Sequence, residues 1–369
     1  MRRNFALVGF FSLLLAVMAW GAFFALAGVA LAQDKKPATP ATPASPAAPA
    51  TPATLGTPTD SVTSPPEIDP EVVELQKKAQ AGDLDAQYDL AEAYFFGDGI
   101  DENVEEAIKL YRQAADKGHI DSQFTLGELY LEGDAIEENV EEGLKYFRLA
   151  AEKGNVQAQF LLAKMYEDGV GVKEDKAEAF KWFSLAAAQG DSSAQFELAQ
   201  AYFFGEGTPE NKAEGIKYYL LSANQGDNEA LYNLGVIYDT GEGAPVNKAQ
   251  AAKLYFGAAI EGNVEALTRL GNLYQNGEGV PTDKLLAVLL YKLAADNDEG
   301  AAQYFLGLAY RGGIGVAKNV DLGNYWIALA AENGLEEAEA LLTVIEKESP
   351  AASAENVGEK KEENQAASK

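Results

Sequence analysis

Residues 154–189 read GNVQAQFLLAKMYEDGVGVKEDKAEAFKWFSLAAAQ, and the pattern of this stretch returns along most of the chain at intervals of 36 residues. Gly82, Gly118, Gly154, Gly190, Gly226, Gly262 and Gly334 share one register, with Asp298 alone breaking the glycine series. Ala86, Ser122, Ala158, Ala194, Ala230, Ala266, Ala302 and Ala338 share a second. Tyr94, Tyr130, Tyr166, Tyr202, Tyr238, Tyr274 and Tyr310 share a third. A fixed period of this size marks a stacked repeat array, in which each unit covers its neighbours instead of closing a core of its own.

Each unit reads as two helices. In the first, Ala86, Leu90, Ala91 and Tyr94 recur at helical spacing, which predicts a helix A ending at Gly97-Asp98-Gly99. A helix B is predicted from about Asn103 to Lys117. Its start column holds Asn103, Asn139, Asp175, Asn211, Asn247, Asp283 and Asn319, all N-capping residues, each cap contributing roughly 1 kcal/mol. Three residues on, Glu106, Glu142, Glu178, Glu214 and Gln250 predict reciprocal capping boxes in five of seven units. Leu286 and Leu322 lack that acid, so the last units are expected to be less locally specified. Helix B offers an aromatic slot at Tyr111, Phe147, Phe183, Tyr219, Tyr255 and Tyr291, beside a column of Ala or Gly running from Ala107 to Gly323. The glycine register ends helix B in the left-handed conformation. At Asp298 the expectation is that Asn297 or Gly300 substitutes, with a local kink.

Seven units run from about 83 to 333. Asp69 to Ala81 reads as a lone helix B before them, and Leu335 to Lys347 as a lone helix A after them. The predicted fold class is therefore all-α, an α-solenoid of about seven 36-residue helix-turn-helix repeats over residues 67–349. Half-repeat caps close both ends, for about 16 helices in all.

The flanks differ in kind. Met1, Arg2 and Arg3 precede a stretch from Phe5 to Ala32 without a charge, and Ala30-Leu31-Ala32 matches a small-x-small cleavage site. Residues 1–32 are expected to be a secretory signal peptide cut after Ala32, with an uncleaved membrane anchor as the alternative. Either places the array beyond the membrane, and cleavage implies a periplasmic protein. Residues 33–66 hold nine of the 14 prolines and read as a Pro/Ala/Thr-rich disordered linker. In extended polyproline II, at ~3.1 Å per residue, it would reach on the order of 100 Å. The polar segment 350–369 is expected to be a disordered tail.

The chain has 29 basic and 57 acidic residues, a net charge of -28. This excludes a nucleic-acid footprint and adsorption to anionic membrane, and favours solubility or a basic partner. With no cysteine, no disulfide, thiolate metal site or cysteine nucleophile exists.

The columns resemble the Sel-1-like repeat, a relative of the tetratricopeptide repeat. The third unit shows it best, in Ala158-Gln159, Leu162-Ala163, Tyr166, Gly169, Gly171-Val172, Asp175, Ala179, Trp182-Phe183 and Ala186-Ala187. The resemblance covers about residues 67–347. It implies a right-handed superhelix with helix A lining the concave side, and a non-enzymatic adaptor or regulator that binds a protein or peptide. That partner would be basic or envelope-associated, such as a sensor kinase or a secretion component. A second implication is an enzyme acting on cell-wall material or a β-lactam, linked to cysteine-rich relatives; the lack of cysteine sets this chain apart from those.

Little else suggests chemistry. His119 is the single histidine and stands in a helix A N-cap column that is otherwise mostly Asp or Asn. The Gly-x-Gly loops lack a nucleotide fingerprint and have acidic neighbours, so they read as interhelical turns. The acids Asp98, Asp101, Glu102, Glu105 and Glu106 lack calcium-loop spacing. No catalytic residue, cofactor or metal site is expected.

Helix A carries the remaining signal. By analogy with the tetratricopeptide groove, its columns at 85, 88, 92, 95 and 96 would face a partner. Column 88 holds Tyr88, Phe124, Phe160, Phe196 and Tyr232. Columns 95 and 96 exchange aromatic pairs, Phe95-Phe96 and Phe203-Phe204, for acids such as Asp168 and Asp239. Residues free to vary this far are free of fold duty. The phenylalanines are the expected apolar anchors, and Glu92, Glu128, Asp168 and Asp239 the expected acidic rim.

Overall fold

The computed structural model describes residues 68–348. The expected signal peptide or anchor, the linker and the tail lie outside the described residues. Within them are sixteen α-helices and no strand. Helix α1 (Pro70–Gln80) precedes seven pairs and α16 (Glu336–Glu348) follows them. The pairs are α2 (Leu84–Phe96) with α3 (Val104–Asp116), α4 (Ile120–Glu132) with α5 (Val140–Glu152), and α6 (Val156–Asp168) with α7 (Lys176–Ala188). Next come α8 (Ser192–Phe204) with α9 (Lys212–Ala223), and α10 (Asn228–Thr240) with α11 (Lys248–Ile260). The last are α12 (Val264–Asn276) with α13 (Lys284–Ala295), and α14 (Gly300–Gly312) with α15 (Val320–Glu332). This is the predicted repeat solenoid with a half-repeat at each end.

The expected core forms. Tyr111, Phe147, Phe183, Tyr219, Tyr255 and Tyr291 are all buried, and Ile327 fills the slot in the seventh repeat. The small column beside them permits close approach: a Cβ added at Gly215 would lie 2.9 Å from the Ala199 carbonyl oxygen.

Helix B starts differently from the expected capping box. Each cap side chain does accept a backbone N–H, as in Glu106 N–H to Asn103 Oδ1 at 3.1 Å. The reciprocal half is not made. The cap N–H instead donates to the tyrosine carbonyl of helix A, Asn103 to Tyr94 and Asn139 to Tyr130, both at 2.8 Å. With that donor satisfied, Glu106, Glu142, Glu178 and Glu214 turn to the lysine three residues on. Leu286 and Leu322 therefore sacrifice no cap bond, and their N–H groups reach Asp283 and Asn319 at 2.9 and 3.0 Å. What is lost lies elsewhere. Glu178 accepts from Trp182 Nε1 at 2.9 Å, whereas Trp326 Nε1, with Leu322 in place of that acid, is buried without a partner.

The expected kink at Asp298 does not occur. Asp298 itself adopts φ 64°, and its turn closes with the bonds its sibling glycines make, Asp298 N–H to Ala295 at 3.1 Å and Glu299 N–H to Ala294 at 3.3 Å. Aspartate tolerates this region better than most residues, so neither Asn297 nor Gly300 is needed.

Amides join successive repeats. Gln195 Nε2 donates to Ala187 O at 3.3 Å, and Gln225 Nε2 donates both to Gly190 O at 3.0 Å and to Gln195 Oε1 at 2.9 Å. Gln189 joins the preceding pair of repeats in the same way. In the second repeat this position is Lys153, whose Nζ reaches Gly118 O at 2.7 Å and leaves the buried Gln123 Oε1 without a donor.

Two stability changes follow. Asp298→Gly is expected to stabilise the fold by about 1 kcal/mol, through relief of left-handed strain. Lys153→Gln is expected to stabilise it by about 1 kcal/mol, through a donor for Gln123 Oε1. Chemical denaturation of each variant against the parent measures both.

A candidate partner-binding face on the first helices of the repeats

The column of Tyr88 is shaped by the helix B ring of its own repeat. Tyr88–Tyr111, Phe124–Phe147 and Phe160–Phe183 have centroids 5.7 Å apart. Phe196–Tyr219 and Tyr232–Tyr255 are at 5.8 Å. All five column residues are half-buried, one face spent on the core and the other on the surface.

Beyond this row the two aromatic pairs share a design. Phe95 and Phe96 meet edge to face at 5.1 Å, and Phe203 and Phe204 at 5.2 Å. The inner ring lies near the helix B tyrosine, Phe95 at 6.5 Å from Tyr111 and Phe203 at 6.2 Å from Tyr219. The outer ring is in solvent, with Phe96 63% and Phe204 61% exposed. Phe203, expected as an open anchor, is only 4% exposed. It is covered by the turn of the following repeat, where a Cβ at Gly243 would stand 3.2 Å from its ring, and Lys212 Nζ lies 5.1 Å from its centroid.

Phe95 is half-buried because its cover differs. The turn's second glycine, as at Gly207, lies against the start of the preceding helix B: a Cβ there would be 2.0 Å from Lys176 O. The second repeat has Ala135 at this place, and Ala135 does not take positive φ. A methyl cannot enter so close a contact, so this turn packs Ala135 and Ile136 onto the core beside Val104 in another way.

An open recess of about 410 Å³ results between repeats one and two. Tyr88, Glu92, Phe95, Phe96 and Glu128 of the expected site line it together, with Tyr111, Thr125, Leu129 and Glu132. Glu92 accepts a hydrogen bond from the Tyr111 hydroxyl. Burial, and next the neighbouring Glu132, push the Glu128 carboxyl above the usual carboxylate range. Burial likewise raises the Tyr88 hydroxyl. None of the three glutamates has an ion-pair partner among the described residues.

The remaining expected residues are not gathered there. Phe124, Phe160, Phe196 and Tyr232 continue along the array. Asp168 is exposed. Asp239, expected as a free rim acid, is 14% exposed and held by Lys248 Nζ at 2.6 Å and Tyr255 Oη at 3.3 Å. Between repeats three and four, Lys164 stands in the column of Glu92. Its Nζ lies 2.5 Å from Glu167 and 3.5 Å from Glu197, and the neighbouring recess shrinks to about 20 Å³. Lys164 went unremarked in the sequence, although the same column comparison marks it as the one cation among Glu92, Glu128 and Gln200.

His119 works as an N-cap. Its Nδ1 accepts from Ser122 N–H at 3.2 Å, and its Nε2 lies 3.2 Å from Asp85. Among the described residues, no group of three or more His, Asp or Glu is arranged to hold a metal ion. No helix among them is long and apolar enough to cross a membrane.

The Sel1 repeat family matches the chain in seven consecutive copies, at 84–119, 120–155, 156–191, 192–227, 228–263, 264–299 and 300–335. The chain belongs to the Sel1 repeat family. Among solved structures, it is similar to a protective antigen of uropathogenic Escherichia coli strains displaying an SLR fold. That likeness has a TM-score of 0.68 at 32% identity, over 73% of this chain and 58% of the antigen. A Sel1 repeat protein from Oxalobacter formigenes is similar at TM-score 0.61 and 28% identity, over 75% of this chain and 80% of that one. The chain thus spans little more than half the length of the E. coli antigen. No curated protein matches it. Sel1 arrays are scaffolds typical of protein–protein interaction, which fits a face whose varied residues cluster on helix A.

The raised Glu128 carboxyl has a testable sign. The folded state holds this proton more tightly than the unfolded chain, so its effect on stability is absent at low pH. Stability is lost as pH rises from the unfolded carboxylate value through the raised folded one. Glu128→Gln is expected to melt higher than the parent at pH 7, with the difference fading as pH falls to 4. Thermal melts at the two pH values decide it.

Proposed function

We propose that this Sel1 array is a non-enzymatic, exported scaffold that holds a basic protein partner against its helix A face, centred on repeats one and two. The observation that carries this is the recess between those repeats. It joins an exposed Phe96 and a half-buried Phe95 to three carboxylates that no cation among the described residues neutralises. Apolar anchors set among acids suit a segment with alternating basic and apolar residues. Phe204 offers a second exposed ring on the same column three repeats on, so an extended partner can touch both. The uncharged stretch ending at Ala30-Leu31-Ala32 supports export to the periplasm, where an envelope-associated partner such as a sensor kinase or a secretion component would be met.

The test is capture from native envelope extract by the full chain and by its Phe95→Ala/Phe96→Ala variant. A specific partner is expected to be lost from the folded double variant, and to elute from the parent as ionic strength rises past about 0.15 M. Retention of every partner by a variant with unchanged circular dichroism would overturn the assignment of this face.

A further inference from the structure

The array contains its own pattern for what the recess lacks. In repeats three, four and five, the first residue of helix B is Lys176, Lys212 or Lys248. Each reaches an acid in the turn of the next repeat, Glu206 at 3.1 Å, Glu242 at 2.8 Å and Glu278 at 3.0 Å. Lys212 also lies 5.1 Å from the centroid of Phe203, the inner ring of the second aromatic pair. There the aromatic pair comes with an ammonium supplied by the chain. In repeat one the same position is Val104, which carries no charge, while Phe95 and Phe96 keep the arrangement of Phe203 and Phe204. The column that supplies Lys164 between repeats three and four is Glu92 and Glu128 here. The first recess thus lacks both the helix B lysine of repeats three to five and the Lys164 of repeat three, and it is open where the recess between repeats three and four is nearly filled.

An aromatic ring attracts a cation to its face, and the attraction strengthens as both are withdrawn from water. Carboxylates partly withdrawn from water, without a counter-charge, gain most from an ammonium or guanidinium brought alongside. The recess admits a group of lysine size and remains open on one side, where Phe96 offers an apolar contact to the neighbouring residue. We infer that the recess between repeats one and two is a receptor for one lysine or arginine side chain of a partner polypeptide, with Phe95 and Phe96 against its stem and charge and Glu92 and Glu128 around its head. This rests on the partner-binding face proposed above and assigns its central contact.

The experiment uses the full chain and two fluorescein-labelled probes read by anisotropy at low salt. One is the capped peptide Ala-Leu-Lys-Leu-Ala. The other carries norleucine for lysine, which keeps the stem and removes the ammonium. The lysine peptide is expected to bind at least tenfold more tightly than the norleucine peptide. Glu92→Gln/Glu128→Gln is expected to erase that preference. Val104→Lys, which gives repeat one the cation of repeats three to five, is expected to abolish lysine-peptide binding in a variant whose circular dichroism is unchanged. Equal affinity for the two peptides up to millimolar concentration, or lysine-peptide binding unchanged in a folded Val104→Lys variant, overturns the inference. The two proposals fail separately. A partner lost from Phe95→Ala/Phe96→Ala but retained by Glu92→Gln/Glu128→Gln and by Val104→Lys leaves the docking face standing and removes the cation receptor.

Discussion

One ring closes each of the first six repeats, and Ile327 takes its place in the seventh. Helix B sets Tyr111, Phe147, Phe183, Tyr219, Tyr255 or Tyr291 against a residue of helix A that is never larger than alanine. Where helix A has glycine the contact is closest: a Cβ at Gly127 would stand 2.7 Å from the Phe147 ring, and one at Gly271 would stand 2.6 Å from Tyr291. Burying such a ring contributes about 1.5–3 kcal/mol. A mismatch of one methylene there would push the pair of helices apart. The tyrosine carbonyl that accepts the cap N–H and the arginine that reaches the next tyrosine hydroxyl recur only while the ring and its small partner hold the two helices at one distance.

The same contact frees the outer residues of helix A. Column 88 lends one face to the helix B ring and keeps the other for the surface. Columns 92 and 95 meet the rim of that ring, as in the Tyr111 hydroxyl to Glu92 and the Tyr255 hydroxyl to Asp239, and their chemistry changes from repeat to repeat without loss of fold. Part of that variation is neutralised among the described residues: Asp239 by Lys248, and Glu167 by Lys164. Repeats one and two are the exception. Val104 replaces a lysine and Ala135 replaces a glycine, the turn changes its packing, and aromatic rings and carboxylates are left around an open recess.

Much of this was legible in the sequence. Helix starts, helix ends, the aromatic slot and the half-repeat caps appear as columns because each has a local chemical requirement. An N-cap needs a short acceptor, and a left-handed turn needs glycine or a tolerant substitute. The departures have one cause. Glu106 sits where a capping box puts it, yet the donor it would bind is taken by Tyr94 of the other helix. Phe203 varies like a surface residue, yet the turn of the next repeat lies over it. Asp239 varies in the same way, yet Lys248, nine residues later, folds back onto it. Each case depends on a neighbour from another element, beyond the reach of a local pattern.

The sequence by itself determined the helical repeat, its number of copies and its register, because periodic burial and local capping act over a few residues and write themselves into spacing. It also singled out Tyr88, Glu92, Phe95, Phe96 and Glu128 as unlike a plain solvated face. Only the tertiary structure decided that these five share one recess and that Phe203 and Asp239 do not remain open. Exposure and charge balance are properties of what one element lays over another. The close approach of a turn to the preceding helix, tight enough to exclude a single methyl, accompanies the cover over Phe203 and is missing beside Phe95.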